Sequence, residues 1–183
     1  MNKITTHNKN GFALFLALII ASIALAIGLS MLHITLMQLT LGTTIRESEI
    51  AFQIANAGME CLRFSVNNDY SAFQTDGGTV TLDCLGDVAT STDSNANPKI
   101  QEFHHELNSN FDTKEYCIQL ETYTITASTS DTTLTFAAER NRPDKVCSAG
   151  DICSIAFVRG FNRSCTDVTS SIFTVQRELS IEF

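Results

Sequence analysis

GFALFLALIIASIALAIGLSML, residues 11–32, is the stretch on which the reading of this chain turns. It follows a short leader carrying Lys3, His7 and Lys9, and it opens an uncharged run that ends only at Arg46. As a helix rising about 1.5 Å per residue, residues 12–32 extend roughly 31 Å, which matches a bilayer hydrocarbon core of about 30 Å. One membrane span is expected, since no second run of this kind follows.

Charge sets the expected orientation. Lys3 and Lys9 precede the span, whereas the far flank offers only Arg46 against Glu47 and Glu49. The positive-inside rule then keeps the N-terminus in the cytoplasm and places the chain beyond about residue 41 outside. Six cysteines suit such a compartment, where disulfides persist. All 20 acidic residues fall at or after Glu47, and without the two leader lysines the remaining 10 Lys and Arg (12 − 2) leave a net charge of 10 − 20 = −10. An acidic head of this kind is soluble and a poor general DNA binder.

Within the span, Ala13, Ala17, Ala21, Ala24 and Gly28 recur every three or four residues on one side. Small residues at such spacing let helix backbones approach closely in lipid, so the segment reads as a packing surface as well as an anchor. Gly42-Thr43-Thr44 is a permissive stretch at which the helix is expected to fray or bend. A second, amphipathic half follows. Ala51, Ile54, Ala55, Gly58, Cys61 and Leu62 share one face, and Glu49, Gln53, Asn56, Glu60 and Arg63 share the other. Its small middle, Ala55 and Gly58, predicts a sheet packed close against it, and Asn67-Asn68-Asp69 predicts its end.

Downstream, the chain reads as strands and loops. Val80, Leu82 and Cys84 alternate with Thr79, Thr81 and Asp83, the two-residue period of a half-buried strand. Residues 89–98 read as a polar loop, and residues 99–111, with Ile100, Phe103 and Leu107, as a short helix. Tyr116, Ile118 and Leu120 alternate, but Tyr123 and Ile125 change parity, which predicts a bulge near Thr122 or burial on both faces. After a turn at residues 128–131, Leu134, Phe136 and Ala138 are expected to return as a hairpin partner. Cys153, Ile155 and Phe157 form another strand, and Phe173, Val175, Leu179, Ile181 and Phe183 a closing strand inserted into the sheet. The expected architecture is α+β, with a long N-terminal helix packed on an antiparallel β-sheet head. Its parts are a leader (1–11), a transmembrane helix half (12–40), an amphipathic half docked on the head (41–66) and a β-rich head (67–183).

Cys61, Cys84, Cys117, Cys147, Cys153 and Cys165 allow 15 complete pairings, and spacing alone selects none. Cys147 with Cys153 would close a small surface loop. Pairing any two of Cys61, Cys84 and Cys117 would tie helix to sheet, worth roughly 2–4 kcal/mol. The absence of C-x-x-C argues against zinc, and adjacent His104 and His105 point to different sides in either a helix or a strand. No Gly-x-Ser-x-Gly, His-Glu-x-x-His or phosphate-binding glycine loop occurs, so neither an enzyme nor a cofactor is expected. Arg140, Arg142 and Lys145, joined by Arg159 and Arg163, are the one candidate patch for DNA phosphates or an acidic surface polymer. Surface salt bridging with Glu139, Asp144 and Asp151 is the plainer reading.

The leader ending in Gly11, Phe12 after it, the apolar helix, and Arg46-Glu47-Ser48-Glu49-Ile50-Ala51-Phe52-Gln53 followed by Ala55, Ala57 and Gly58 resemble the type IV pilin superfamily, most of all minor pilins of the PilX type. The resemblance covers about the first 64 residues; Arg159-Gly160-Phe161-Asn162 and the closing strand add a weaker one. It implies cleavage between Gly11 and Phe12 by a prepilin peptidase, methylation of the new Phe12 amine, residence in the cytoplasmic membrane, and assembly with other pilin subunits through the pilus machinery. It implies no small-molecule substrate. A glycine lets the scissile peptide lie flat at the membrane face. Where most pilins carry a Glu five residues into the mature chain, this sequence has Leu16. In the family that Glu neutralises a neighbour's terminal amine inside an apolar fibre, where an unpaired charge costs several kcal/mol. Its replacement points to a minor subunit at the tip, with roles in assembly, adhesion or DNA uptake, or to a divergent lineage.

Three other readings compete. A pseudopilin of a type II secretion-like apparatus would use the same leader, span and docked helix. A secreted protein could be cut after Ala24-Leu25-Ala26, although it would then have to hide Ile27, Leu29, Leu32, Ile34, Leu36 and Leu39. A single-span anchor would leave the small-residue face without a purpose.

Overall fold

The structure, a computed structural model, describes residues 10–95, 97–111, 114–136, 142–170 and 174–182, with the side chains of residues 10, 11, 84 and 111 left aside. The chain divides into two compact units, Met1–Ile45 and Arg46–Phe183. Helix α1 (Asn10–Asn68) contributes its first part to one and its last part to the other. The helix is unbroken through Gly42-Thr43-Thr44 and does not fray there. There the hydroxyls of Thr43 and Thr44 bond back to the Thr40 carbonyl, at 2.8 and 2.9 Å, and the ladder continues. The helix ends at Asn68, and Asp69 then accepts a hydrogen bond from the Ala72 amide (3.2 Å) to start a 3-10 turn, Tyr70–Gln74.

The second unit is α+β. A hairpin of β1 (Thr79–Cys84) and β2 (Asp87–Thr92) turns on Leu85 and Gly86, both at positive φ (60° and 82°). Its main sheet is antiparallel and comprises β3 (Ile100–Phe111), β4 (Lys114–Thr126), β7 (Ile152–Phe161) and β8 (Gln176–Glu182), in the order β3-β4-β7-β8. A small pair, β5 (Thr132–Leu134) and β6 (Lys145–Cys147), completes the described strands.

Two cores form, one on each face of the main sheet. On the helix face, Ile54, Met59, Leu62 and Val66 pack with Phe103, Leu107, Tyr116, Ile118, Leu120, Ala156 and Val158, and Phe73, Val80 and Leu82 close its edge. On the opposite face, Tyr123, Ile125, Ile155 and Phe157 pack with Leu134, Phe136 and Cys147. The change of parity along β4 is therefore burial on both faces and not a bulge. Its register runs unbroken against β3 and β7, so Leu120 faces the helix and Tyr123 faces the β5–β6 pair.

Three expectations are corrected. Residues 100–111 form a strand and not a helix; every odd position from Gln101 to Ser109 is buried, but Gln101, His105 and Ser109 are polar, which hid the alternation. The loop expected over 89–98 begins as β2, held by cross-strand hydroxyl pairs Thr79–Thr92 and Thr81–Thr90. The predicted hairpin is absent from the ladder: β5 pairs with β6, while β4 takes β3 and β7 as neighbours. The closing strand joins the main sheet as expected, paired with β7 at its edge. Ala138, Phe173 and Phe183, which the sequence pattern assigned to strands, lie outside the described residues.

Candidate functional site

From Phe12 to Ile45 every side chain of α1 is exposed and none is charged. The helix is long and apolar enough to cross a membrane. Ala13, Ala17, Ala21, Ala24 and Gly28 are all exposed, and nothing lies within 4 Å of where a Cβ on Gly28 would stand. Leu16 presents an isobutyl group, 46% exposed. Several of the segment's hydroxyls bond back to its own backbone. The hydroxyls of Ser22, Thr35 and Thr40 donate to the carbonyls of Ile19, Met31 and Leu36 at 2.8–3.0 Å. Such back-bonding leaves no hydroxyl hydrogen to be satisfied by water, the condition an apolar medium imposes. In the sequence Thr35 and Thr40 read only as polar positions beyond the span; their place on a helix, with a carbonyl four residues back, was the available signal. The leader is outside the described residues except for residues 10 and 11.

In the second unit, Ala51, Ile54, Ala55, Gly58, Cys61 and Leu62 all lie buried against the sheet. A Cβ on Gly58 would stand 2.6 Å from Ile118 Cγ2 and 2.9 Å from Val158 Cγ1. The complementary glycine, Gly160, was quoted only as part of a weak motif. A Cβ there would stand 2.3 Å from the Ala51 carbonyl oxygen and 2.4 Å from the Ala55 amide nitrogen, so backbone meets backbone. Asn162 donates to Glu47 at 3.0 Å, and Arg177 to Ser48, which fixes the start of this helical segment on the sheet.

Disulfides join Cys117 to Cys165 and Cys147 to Cys153. Cys147–Cys153 closes the short loop before β7. Cys117 takes a loop cysteine instead of Cys61 or Cys84, because its position on β4 faces away from α1. Cys61 is also disulfide-bonded, and the Cys84 side chain lies outside the description. Glu106 stands beside the Cys117–Cys165 bond, but those sulfurs are bonded to each other and offer a metal no thiolate. His104 and His105 occupy opposite faces of β3. His104 is exposed and contacts Glu102 at 2.8 Å, and His105 is buried with Nε2 3.1 Å from the Val80 carbonyl.

The proposed basic patch is resolved differently by the fold. Arg140 and Glu139 lie outside the described residues. The Arg142 side chain is only 8% exposed; it donates to Glu121 at 2.9 Å and to Glu178, and its guanidinium lies 3.5 Å above the Phe157 ring. Burial opposes its charge, but the hydrogen bonds from Glu178 and Glu121 outweigh that and hold its pKa above the ordinary arginine value. Arg159 also donates to Glu121, and Lys145 to Glu182. Arg142 is thus an internal cross-link between the β5–β6 region, β4 and β8, not an open site for a polyanion. The partners differ from Asp144 and Asp151 because Glu121, Glu178 and Glu182 are brought to one sheet face by register. Pairing over such sequence distances leaves no local signal.

Compared with families of known sequences, with characterised proteins and with solved structures, the chain matches none.

Proposed function

We propose that this chain is a minor subunit of a type IV pilus-like fibre, placed at the tip or initiating end. A charge-free helix fully exposed from Phe12 to Ile45, continuous with a segment whose small residues seat a disulfide-bonded sheet, is the observation that carries the reading. In a single subunit such a helix leaves its whole apolar surface uncovered, which in water would cost about 25 cal/mol per Å². Lipid first, and then neighbouring helices of the same kind, would cover it. The exposed small-residue stripe suits the second role, and the back-bonded hydroxyls suit both.

On this reading a prepilin peptidase trims the chain between Gly11 and Phe12, the new amine is methylated, and the head stands outside the cytoplasmic membrane before joining the fibre. Leu16 offers no countercharge to a neighbour's amine, which favours a position where no neighbour requires one. The head displays a surface held by disulfides and carries out no chemistry of its own.

Intact-mass measurement of the protein from cells carrying a prepilin peptidase tests the proposal. The expected species begins at a methylated Phe12, and Gly11→Val retains the leader. A Met1 start would indicate an uncleaved anchor and an Ile27 start a secreted protein; either would overturn the reading. Replacing Leu16 with Glu should move the subunit from sparse to shaft-like incorporation in purified fibres.

A further inference from the structure

Register places Gln101, Thr124 and Ser154 directly opposite one another across β3, β4 and β7, on the face that carries α1. Each is at most 2% exposed. Tyr70 Oη stands 3.2 Å from Ser154 Oγ, and Ser154 Oγ stands 3.2 Å from Thr124 Oγ1. Three hydroxyls bring three hydrogens and make two mutual bonds, so one O–H remains to be accepted at an end of that chain.

Next to Thr124 a lone acceptor and a lone hydroxyl stand without partners. Gln101 donates through Nε2 to the Pro98 carbonyl at 2.9 Å, but its Oε1 has no partner. Thr122, fully buried and diagonal to Gln101 in the β3–β4 ladder, has none for Oγ1. Buried oxygens left this way are destabilising, and valine in place of an unpaired Thr122 would remove that penalty. The Thr124 end of that chain, the lone Gln101 oxygen and the lone Thr122 hydroxyl lie at neighbouring positions of one sheet face.

We propose that the corner between Gln101, Thr122 and Thr124 binds one ordered water molecule, which accepts the hydroxyl hydrogens of Thr122 and Thr124 and donates to Gln101 Oε1. Three bonds is the usual complement of a buried water. A cation would suit the site less well, since it accepts no hydrogen bond and this row holds no carboxylate to balance it. With the water in place, one hydrogen-bonded path runs from Tyr70 in the 3-10 turn through Ser154, Thr124 and Gln101 to the Pro98 carbonyl. It fastens the connections before β1 and before β3 to the centre of the sheet.

Thermal unfolding of the full chain in detergent, for Thr122→Val, Gln101→Met and the double variant, tests this. Water bound at the corner predicts that Thr122→Val lowers Tm by about 2–5 °C. The double variant should lose less than the sum, because both changes release the same molecule. Thr122→Ser, which keeps the hydroxyl, should bind the water and restore the coupling. A Tm that rises or stays level in Thr122→Val, or strictly additive losses, would overturn the proposal. So would a high-resolution crystal structure without density at the corner.

Discussion

Gly160 lies directly beneath Ala51: a methyl group on the glycine would stand 2.3 Å from the Ala51 carbonyl oxygen. The two backbones are therefore in contact with no side chain between them, and the distance from helix to strand is set by the absence of one carbon atom. Because the obstructing atoms belong to a helix backbone, they cannot rotate away. Gly160→Ala is expected to destabilise the head by about 3 kcal/mol or more, the upper end of overpacking costs. Gly58→Ala meets side-chain methyls of Ile118 and Val158, which can shift, and regains about 1 kcal/mol of helix propensity. Denaturant unfolding of the two variants should rank Gly160→Ala well below Gly58→Ala, and equal losses would contradict the backbone contact.

Removing Arg142 tests the buried ion cluster. Glu121 is 2% exposed and accepts from both Arg142 and Arg159, so Arg142→Met would strip a buried carboxylate of one of its cations. Breaking a buried pair from one side typically costs about 3–5 kcal/mol. The double change Arg142→Met with Glu121→Gln should recover much of that loss. A surface role for Arg142 would instead leave unfolding unchanged.

Acid should loosen the head in two steps. Burial lowers the His105 pKa from its ordinary 6.5, since the folded interior disfavours the imidazolium. Below pH 6.5 the unfolded chain then binds more protons than the folded one, and stability falls until the folded pKa is reached. The Glu102 pKa is lowered from 4.5, chiefly by its hydrogen bond with His104, which adds a further loss as pH drops below that value. Melting temperature measured against pH should slope downward from about 6.5, and His105→Gln should flatten the upper part of that slope while leaving the lower part in place.

The two described disulfides should differ in worth. Cys117–Cys165 closes a separation of 48 residues and Cys147–Cys153 one of 6. In the chain-entropy account these amount to about 4 and 2 kcal/mol of restriction on the unfolded state. Alanine pairs at each position, compared by chemical denaturation, should preserve that order.

How much of this could be read beforehand depended on the range of the interaction. The burial of Ala51, Ala55, Gly58 and Leu62 was legible in helical spacing, and that of Val80 and Leu82 in two-residue alternation. β3 was not, because Gln101, His105 and Ser109 occupy inward positions that a pattern of apolar residues would fill. Those residues owe their places to partners elsewhere: the Pro98 carbonyl for Gln101 and the Val80 carbonyl for His105.

By itself the sequence determined the helix and its character, since a charge-free apolar run followed by an amphipathic one is a property of neighbouring residues and needs no partner to define it. Strand order, the choice of Cys165 as partner to Cys117, and the turning inward of Arg142 were decided only in three dimensions. Each depends on which of two strand faces is covered and by what, a choice made by the summed burial and pairing of segments far apart in the chain.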